Sequence, residues 1–262
     1  MKLKDKRLFL LDMDGTIYLG DRLFDCTPRF LAHLQTYDIR YMFFTNNSSK
    51  STAQYLQKLA KMGIVANIEQ MISSTRATIA YLAKHYAGKR VYAFGTAAFT
   101  DELRLAGINV TTGLEENIDI LVMGFDTELN FQKLEDACVL LGRGVEYIAT
   151  NPDLVCPTEY GSVPDCGSVA EMLKNATTRE PVFIGKPSPL MVEIALAQAN
   201  IPKEQVLLVG DRLYTDIACG TAAGVDTALV LSGESTRDDA KTSPHQPTYI
   251  FGDLDGLLKE ME

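Results

Sequence analysis

Two acidic residues follow an apolar run near the start of the sequence, in the segment DMDGT at positions 12–16. The apolar run predicts a buried strand over Arg7–Asp12. Alternate residues of an extended chain point to the same side, so Asp12 and Asp14 would present two carboxylates at the carboxyl end of this strand. That end is where open α/β sheets bind ligands, and Gly15 allows the backbone to turn there. An acidic turn with solvated carboxylates is the alternative for this segment taken alone.

Hydroxyl and amide groups follow a second apolar run, which predicts a strand over Arg40–Thr45. The sequence TNNSS begins at Thr45 and continues through Asn46 toward a helix predicted over Ser51–Met62. Donors at the start of a helix form a ready anion site. The alternative is an ordinary helix N-cap, for which the same residue types are preferred.

A lysine, Lys186, follows a third apolar run, predicted as a buried strand over Pro181–Gly185. Prolines at positions 187 and 189 stiffen the turn around it. A point charge fixed in this way suits a phosphate group. The alternative is a surface lysine in a proline-rich turn.

Two further carboxylates follow a fourth apolar run, predicted as a strand over Val206–Gly210. Asp211 ends this run, and Asp216 lies close to the start of a helix predicted over Ile217–Ala223. Oxygen ligands of this kind suit Mg2+. Helix capping by Asp216 and a solvated Asp211 are the structural alternative.

Each cluster alone has an ordinary explanation, but all four follow an apolar strand in the same way. Apolar runs of strand length alternate with helical patterns along the chain, which predicts an α/β fold with a mostly parallel sheet. The carboxyl ends of parallel strands share one edge, so the four clusters indicate a single site for phosphate and metal.

The strand pattern restarts in the middle of the chain, which predicts a smaller α/β domain inserted into the core. The predicted core covers residues 1–77 and 180–262, and the predicted insert covers 78–179. Further strands are predicted at Arg90–Gly95, Asp119–Gly124, Glu146–Asn151 and Thr227–Leu231, with helices near Thr100–Ala106 and Phe131–Leu141. Pro152–Ser168, rich in proline, glycine and aspartate, is predicted to be a loop.

Charge and composition exclude several classes of function. The net charge is −9, with no basic run to neutralise nucleic-acid phosphates. The five cysteines form no CxxC pair and the three histidines are far apart, so a zinc site is not expected. No segment reaches the roughly 18 apolar residues of a membrane helix, and no signal-peptide cleavage pattern follows the short apolar run before Asp12. A cytoplasmic location is predicted.

The four clusters closely resemble the motifs of the haloacid dehalogenase (HAD) superfamily. The sequences TNN, GKPSP and GDRLYTDI are similar to those of its NagD-like phosphatase branch, subfamily IIA. The insert also resembles the cap of that branch in the sequences ATNPD and PTE. One departure is visible, because the chain has Pro164-Asp165-Cys166-Gly167 where many members have Pro-Gly-x-Gly. The resemblance covers nearly the whole chain and implies a Rossmann-like parallel-sheet core with an inserted α/β cap of the C2 type.

The resemblance implies a role for each motif residue. Asp12 would attack phosphorus and form an aspartyl-phosphate, while Asp14 would protonate the leaving group and then activate water. The metal, Mg2+, would be held by Asp12, the backbone carbonyl of Asp14, and Asp211, with support from Asp216. The phosphoryl oxygens would be held by Thr45, Asn46 and Lys186.

The implied function is Mg-dependent hydrolysis of small phosphomonoesters such as nucleoside monophosphates, sugar phosphates or artificial aryl phosphates. The implied partner is a small phosphorylated metabolite, with neither nucleic acid nor membrane, and the chain is a monomer or a homodimer. The alternatives are a phosphotransferase or another HAD hydrolase, such as a phosphomutase or dehalogenase, and a non-catalytic metabolite-binding protein. The core motifs address only phosphate and metal, so the insert is predicted to form a lid whose loop at 151–168 selects the substrate.

Overall fold

The computed structural model describes residues 2–158 and 161–262. Glu159, which belongs to the cap-like sequence PTE, therefore lies outside the described residues. The strands are β1 (Leu8–Asp12), β2 (Tyr18–Leu19), β3 (Arg22–Leu23), β4 (Arg40–Thr45), β5 (Met71–Ser73), β6 (Arg90–Phe94), β7 (Asn109–Thr111), β8 (Ile120–Met123), β9 (Glu146–Ala149), β10 (Val155–Thr158), β11 (Gly161–Pro164), β12 (Val182–Phe183), β13 (Val206–Gly210), β14 (Asp226–Val230) and β15 (Tyr249–Phe251). The α-helices are α1 (Thr27–Thr36), α2 (Thr52–Lys61), α3 (Ser74–His85), α4 (Ala97–Leu105), α5 (Phe131–Gly142), α6 (Cys166–Thr177), α7 (Leu190–Ala199), α8 (Ala218–Ala223), α9 (Arg237–Thr242) and α10 (Leu254–Met261).

A six-stranded sheet has the order β15-β14-β13-β1-β4-β5. Strand β1 lies between β13 and β4 and is parallel to both, with Leu8 in register with Val206 on one side and Arg40 on the other. Strands β13, β14 and β15 are also parallel to one another. Every residue of β1 and β13 is buried, as expected for central parallel strands covered on both faces. The fold class predicted from the alternating pattern is therefore confirmed.

A five-stranded sheet has the order β12-β9-β8-β6-β7, and its pairings are parallel. Its central strand β8 is buried throughout. Apolar residues of this sheet pack with α5 and α6 in one hydrophobic core that includes Phe94, Leu121, Leu140 and Leu173. Helix α4 begins at the N-cap Thr96, whose hydroxyl accepts a hydrogen bond from the Phe99 N–H.

Two sequence predictions about the middle of the chain were wrong. The segment Pro152–Ser168 is not a loop, because β10 and β11 form an antiparallel hairpin and α6 begins at Cys166. Its prolines and glycine are compatible with a two-stranded ribbon, where many backbone N–H groups need no partner strand. The segment Pro181–Gly185 is not a buried strand either. Only β12 forms there, as an edge strand of the five-stranded sheet with Val182 52% exposed.

The chain divides into two compact units. The first comprises residues 1–45, 56–72 and 186–262, and the second comprises 46–55 and 73–185. The second unit thus includes a short segment, residues 46–55, that directly follows β4. No hydrophobic pattern in the sequence distinguishes this segment from the core. The domain ranges 1–77 with 180–262, and 78–179, stay a prediction.

The interval between the first two motifs holds only small elements. The hairpin of β2 and β3 and the helix α1 fill most of the chain between Thr16 and Phe44. The interval therefore has no room for the small helical cap that phosphomutases of the HAD superfamily usually carry at this position. Within the described residues, none of the helices has both the length and the apolar character needed to cross a bilayer.

Candidate active site

The carboxyl edge of the six-stranded sheet carries most of the predicted site residues. Asp12 is the last residue of β1, Thr45 is the last residue of β4, and Asp211 follows β13 directly. These strands are neighbours and parallel, so their ends meet at one edge. Asp12, Thr45 and Asp211 are all buried, which is rare for aspartate unless the side chain is paired or functional.

A buried lysine lies between two of the carboxylates. Lys186 Nζ donates hydrogen bonds to Asp12 Oδ1 at 2.5 Å and to Asp216 Oδ1 at 2.6 Å. It also approaches the carbonyl oxygen of Phe44 at 3.4 Å. Asp216 lies in a π-helical turn over Leu213–Ile217, and its second oxygen accepts a hydrogen bond from the Arg212 N–H. Lys186 is 3% exposed, so its charge acts in a medium of low dielectric constant, where it attracts an anion strongly.

Burial and mutual repulsion perturb the ionisation of the site. Burial raises the pKa of the Asp12 carboxyl well above its ordinary value of 3.8. Lys186 lowers that pKa, while the Asp216 and Asp211 carboxylates raise it. Burial, followed by repulsion from Asp216, raises the pKa of Asp211 to about 7. The pKa of Lys186 is raised above its ordinary value, because the attraction of Asp12 and Asp216 outweighs the effect of burial, and Lys186 is therefore a cation.

Three of the carboxylates could hold a cation together. Asp12, Asp211 and Asp216 each offer an oxygen, and these oxygens lie within 4.8 Å of one another. Among the described residues, no hydrogen-bond donor contacts the buried Oδ1 of Asp211. A buried carboxylate oxygen without a donor is costly unless it binds something. The donor set therefore fits a hard divalent cation, which prefers oxygen ligands.

Asp14 follows Asp12 by two residues in the chain, and its carboxylate is not one of the three. It is half-buried, and its Oδ1 accepts a long hydrogen bond of 3.4 Å from the Gly20 N–H. The resemblance assigns the Asp14 carboxyl group to proton transfer. It assigns metal binding by Asp14 to the backbone carbonyl oxygen.

Asn46 is the first residue of the second compact unit and is held firmly there. Its amide nitrogen lies 3.1 and 3.2 Å from the two carboxylate oxygens of Asp153. Its backbone carbonyl oxygen accepts hydrogen bonds from Ser74 Oγ and from Asn151 Nδ2. The residues that fix Asn46 belong partly to the ATNPD sequence, so that sequence has a local structural role in this unit.

Glycines line the two aspartates that follow β13, and one of them, Gly233, lies outside the predicted motifs. A Cβ atom added to Gly233 would lie 2.0 Å from Asp211 Oδ2, and one added to Gly15 would lie 2.5 Å from the same atom. A Cβ on Gly210 would lie 2.2 Å from Asp216 Cγ. The missed segment 232–235 follows β14 at the same sheet edge, a position that the predicted strand over Thr227–Leu231 already indicated.

Comparisons with known proteins identify the family. A family model described as haloacid dehalogenase-like hydrolase matches residues 9–109, and a HAD-hydrolase-like model matches 183–257. An acid sugar phosphatase of Staphylococcus haemolyticus is 35% identical over 260 residues, which cover 99% of this chain and 98% of that protein. A crystal structure of 4-nitrophenylphosphatase from Thermotoga maritima superimposes with a TM-score of 0.94 at 38% identity, covering 99% of both chains.

Two other solved structures are also similar. A putative NagD protein has a TM-score of 0.90 at 37% identity and covers 98% of both chains. A glycerol phosphate phosphatase from Mycobacterium tuberculosis in complex with magnesium has a TM-score of 0.92 at 32% identity, covering 98% of this chain and 79% of that one.

The chain belongs to the haloacid dehalogenase-like superfamily. Within it, the motifs and the structural neighbours place the chain among the NagD-like enzymes, and it is a HAD-type phosphatase. The sequence-based recognition of this family and of its enzyme class is confirmed.

Proposed function

We propose that this protein hydrolyses small phosphomonoesters with the help of Mg2+, through an aspartyl-phosphate formed on Asp12. The observation that carries the proposal is the buried Asp12 carboxylate, which is hydrogen-bonded to Lys186 and lies within 4.8 Å of oxygens from two further carboxylates. This arrangement combines a nucleophile, a fixed positive charge and a cation-binding group at one sheet edge.

The first step transfers the phosphoryl group to the protein. A carboxylate oxygen of Asp12 attacks phosphorus, and the bond between phosphorus and the alkoxide oxygen of the substrate breaks. Asp14 gives its proton to that leaving oxygen. In the second step Asp14 takes a proton from water, the water oxygen attacks phosphorus, and the bond between phosphorus and Asp12 breaks. Orthophosphate leaves, and both aspartates return to their initial state.

Lys186 has two tasks in this proposal. Its charge attracts the phosphate dianion into a site that otherwise carries several carboxylates. Its hydrogen bond to Asp12 also favours the ionised, nucleophilic form of that side chain, against the effect of burial. The bond to Asp216 holds the ammonium group in place while the Asp12 oxygen reacts. Thr45 and Asn46 are proposed to donate hydrogen bonds to the phosphoryl oxygens.

The metal is proposed to be held by Asp12, the backbone carbonyl of Asp14 and Asp211, with Asp216 in support. When bound, it neutralises the repulsion between a carboxylate nucleophile and a phosphate dianion. Mg2+ is proposed because the site offers only oxygen atoms and few protein ligands, as is usual for this ion. The protein from Mycobacterium tuberculosis in the comparison above also contains magnesium.

The proposed substrates are sugar phosphates and nucleoside monophosphates, with aryl phosphates accepted in vitro. The names of the related enzymes support the first and third classes, since they are called acid sugar phosphatase and 4-nitrophenylphosphatase. A cytoplasmic location and a monomeric or homodimeric state stay predictions.

The experiment is a phosphate-release assay over a panel of sugar phosphates, nucleoside monophosphates and 4-nitrophenyl phosphate. We expect turnover with Mg2+, no turnover after treatment with EDTA, and recovery when Mg2+ is restored. Ca2+ should not restore turnover, because its longer bonds and larger coordination number misplace the attacking carboxylate. Full activity after exhaustive chelation would contradict the proposal, as would a lack of turnover on every ester of the panel.

A further inference from the structure

The segment Ser232–Ser235, which follows β14, contacts Asp211 along its backbone. The Glu234 N–H donates a hydrogen bond of 2.7 Å to Asp211 Oδ2. The Ser235 N–H donates another, of 3.1 Å, to the backbone carbonyl oxygen of Asp211. One carboxylate oxygen of Asp211 is therefore fixed by a backbone amide, while Oδ1 is the buried oxygen that lacks a donor among the described residues.

The same segment leaves room for the Asp211 carboxylate only because residue 233 is glycine. A Cβ atom on Gly233 would lie 2.0 Å from Asp211 Oδ2 and 2.4 Å from Asp211 Cγ. These distances are far below van der Waals contact, so an alanine would displace the carboxylate or the segment. The backbone of Gly233 does not have the positive φ that favours glycine, so the demand is one of space.

Side chains tie the segment to two other motifs. Ser232 Oγ donates a hydrogen bond of 2.7 Å to the carbonyl oxygen of Gly15, beside Asp14. The Glu234 carboxylate lies 2.9 Å from Arg212 Nε, the residue after Asp211. Ser235 Oγ accepts a hydrogen bond from the Leu213 N–H. The segment therefore links the loop after β1 to the loop after β13.

We propose that Ser232–Ser235 is a positioning segment for the metal carboxylate. It holds Asp211 by Oδ2 and directs Oδ1 toward the cation. Gly233 leaves the space that the Asp211 carboxylate occupies in this arrangement. The inference rests on the proposed function, since it concerns the cation that the three carboxylates would hold. The segment acts through Asp211 and has no catalytic role of its own.

The first test is Mg2+ binding to Gly233→Ala, measured by isothermal titration calorimetry without substrate. Gly252→Ala is the matched control, because a Cβ there meets no atom within 4 Å. We expect the Kd for Mg2+ to rise at least about tenfold in Gly233→Ala, which is about 1.4 kcal/mol, and to stay unchanged in Gly252→Ala. Equal Kd values for the wild type and Gly233→Ala would overturn the inference.

The second test is a double-mutant cycle on the unfolding midpoint of the metal-free protein. Gly233→Ala should lower the midpoint in the wild type and have little effect in Asp211→Gly, where the carboxylate and the Cβ atom, which the new methyl group would meet at 2.7 Å, are both gone. If Gly233→Ala lowers the unfolding midpoint equally in the wild type and in the Asp211 variant, alanine disturbs the segment itself, and the inference is overturned. A wild type that binds Mg2+ but hydrolyses no ester would refute the proposed function. The inference that Ser232–Ser235 positions Asp211 for the cation would still stand.

Discussion

At the scale of single residues, the balance between carboxylates and one ammonium group governs the site. Asp12, Asp211 and Asp216 are buried together with Lys186. Without a cation, one positive charge faces three acidic groups, and burial makes their repulsion strong. Burial is the main reason why the pKa of Asp12 and that of Asp211 are both raised, and the repulsion between the carboxylates adds to it. In the proposed mechanism a bound divalent cation would offset this repulsion, because the carboxylate nucleophile and the phosphate substrate are both negatively charged.

Asp12→Asn is predicted to abolish turnover while the protein stays folded. The amide has almost the same shape as the carboxylate but cannot form an acyl-phosphate. We expect kcat to fall at least about a thousandfold, the scale typical of removing a nucleophile. The measurement is steady-state hydrolysis of 4-nitrophenyl phosphate, with circular dichroism as the control for folding. Substantial turnover by the purified variant would rule out Asp12 as the nucleophile.

Asp211 is predicted to destabilise the metal-free protein as the pH rises. Its pKa is about 7 when folded, above its ordinary value of 3.8, so between these values the folded state binds more protons than the unfolded state. The free energy of unfolding therefore falls as the pH rises from about 4 to about 7. In Asp211→Asn this contribution is absent.

Thermal unfolding in EDTA at pH 5 and pH 7.5 tests this prediction. Between pH 5 and pH 7.5, the unfolding midpoint of the wild type should fall by more than that of Asp211→Asn. Mg2+ should restore the midpoint of the wild type at pH 7.5, since it binds the ionised carboxylate. Parallel losses in the wild type and the variant would contradict the assigned pKa.

At the scale of elements, close packing of α8 against the six-stranded sheet supports the turn that carries Asp216. Gly220 of α8 is buried, and a Cβ there would lie 2.3 Å from Thr227 Cγ2 of β14. The small residues of this helix thus let its backbone approach the sheet. The π-helical turn immediately before α8 contains Asp216. The close approach of α8 to the sheet therefore helps to set the position of this carboxylate.

Two glycine-to-alanine changes in helices are predicted to have opposite effects on stability. Gly220→Ala should destabilise the protein by about 1–3 kcal/mol through overpacking against Thr227. Gly256→Ala in α10 should stabilise it by about 0.5–1 kcal/mol, because a Cβ there meets Phe251 at an ordinary 3.6 Å and alanine favours the helix. Chemical denaturation of both variants checks this. The packing argument fails if Gly220→Ala is as stable as the wild type.

At the scale of the whole molecule, the motif residues of the first unit are proposed to bind only the phosphate group and the metal, and every phosphate ester has that phosphate group. Substrate choice is therefore predicted to depend on the insert. The residues of the insert differ in how well they can test this dependence. Asp165 is buried and caps α6 by accepting a hydrogen bond from the Cys166 N–H, so its removal costs helix stability as well. Leu154 and Val155, at the start of the hairpin, are 56% and 40% exposed.

Val155→Ser is predicted to change the ranking of substrates. An exposed apolar side chain can bind the organic part of an ester, and its loss should lower kcat/KM for aryl phosphate relative to sugar phosphate, by up to about tenfold. Leu105→Ser is the matched control, because Leu105 is 89% exposed at the end of α4 in the same unit. Competition assays with mixed substrates give the ratio. An unchanged ratio in Val155→Ser would mean that this hairpin residue does not select the substrate.

The sequence by itself determined the local chemistry and the class of fold. Buried parallel strands are apolar throughout, so β1, β4 and β13 were visible as runs, and the polar residues at their ends marked one sheet edge. The spacing of Asp12 and Asp14, and the motifs that contain Lys186 and Asp211, were enough to identify the family. These features depend on residues close together in the chain, where backbone geometry and periodicity act directly.

Tertiary structure alone decided the contacts between distant segments. Nothing around Lys186 shows that it donates to Asp12, which lies 174 positions away along the chain. Likewise, Gly233 resembles any loop glycine until the Asp211 carboxylate is found 2.0 Å from where its Cβ would be. The hairpin of β10 and β11 was hidden because its short strands are rich in turn-forming residues. The physical reason is the same in each case: packing is set by the excluded volume and charge of neighbours that the order of residues does not place together.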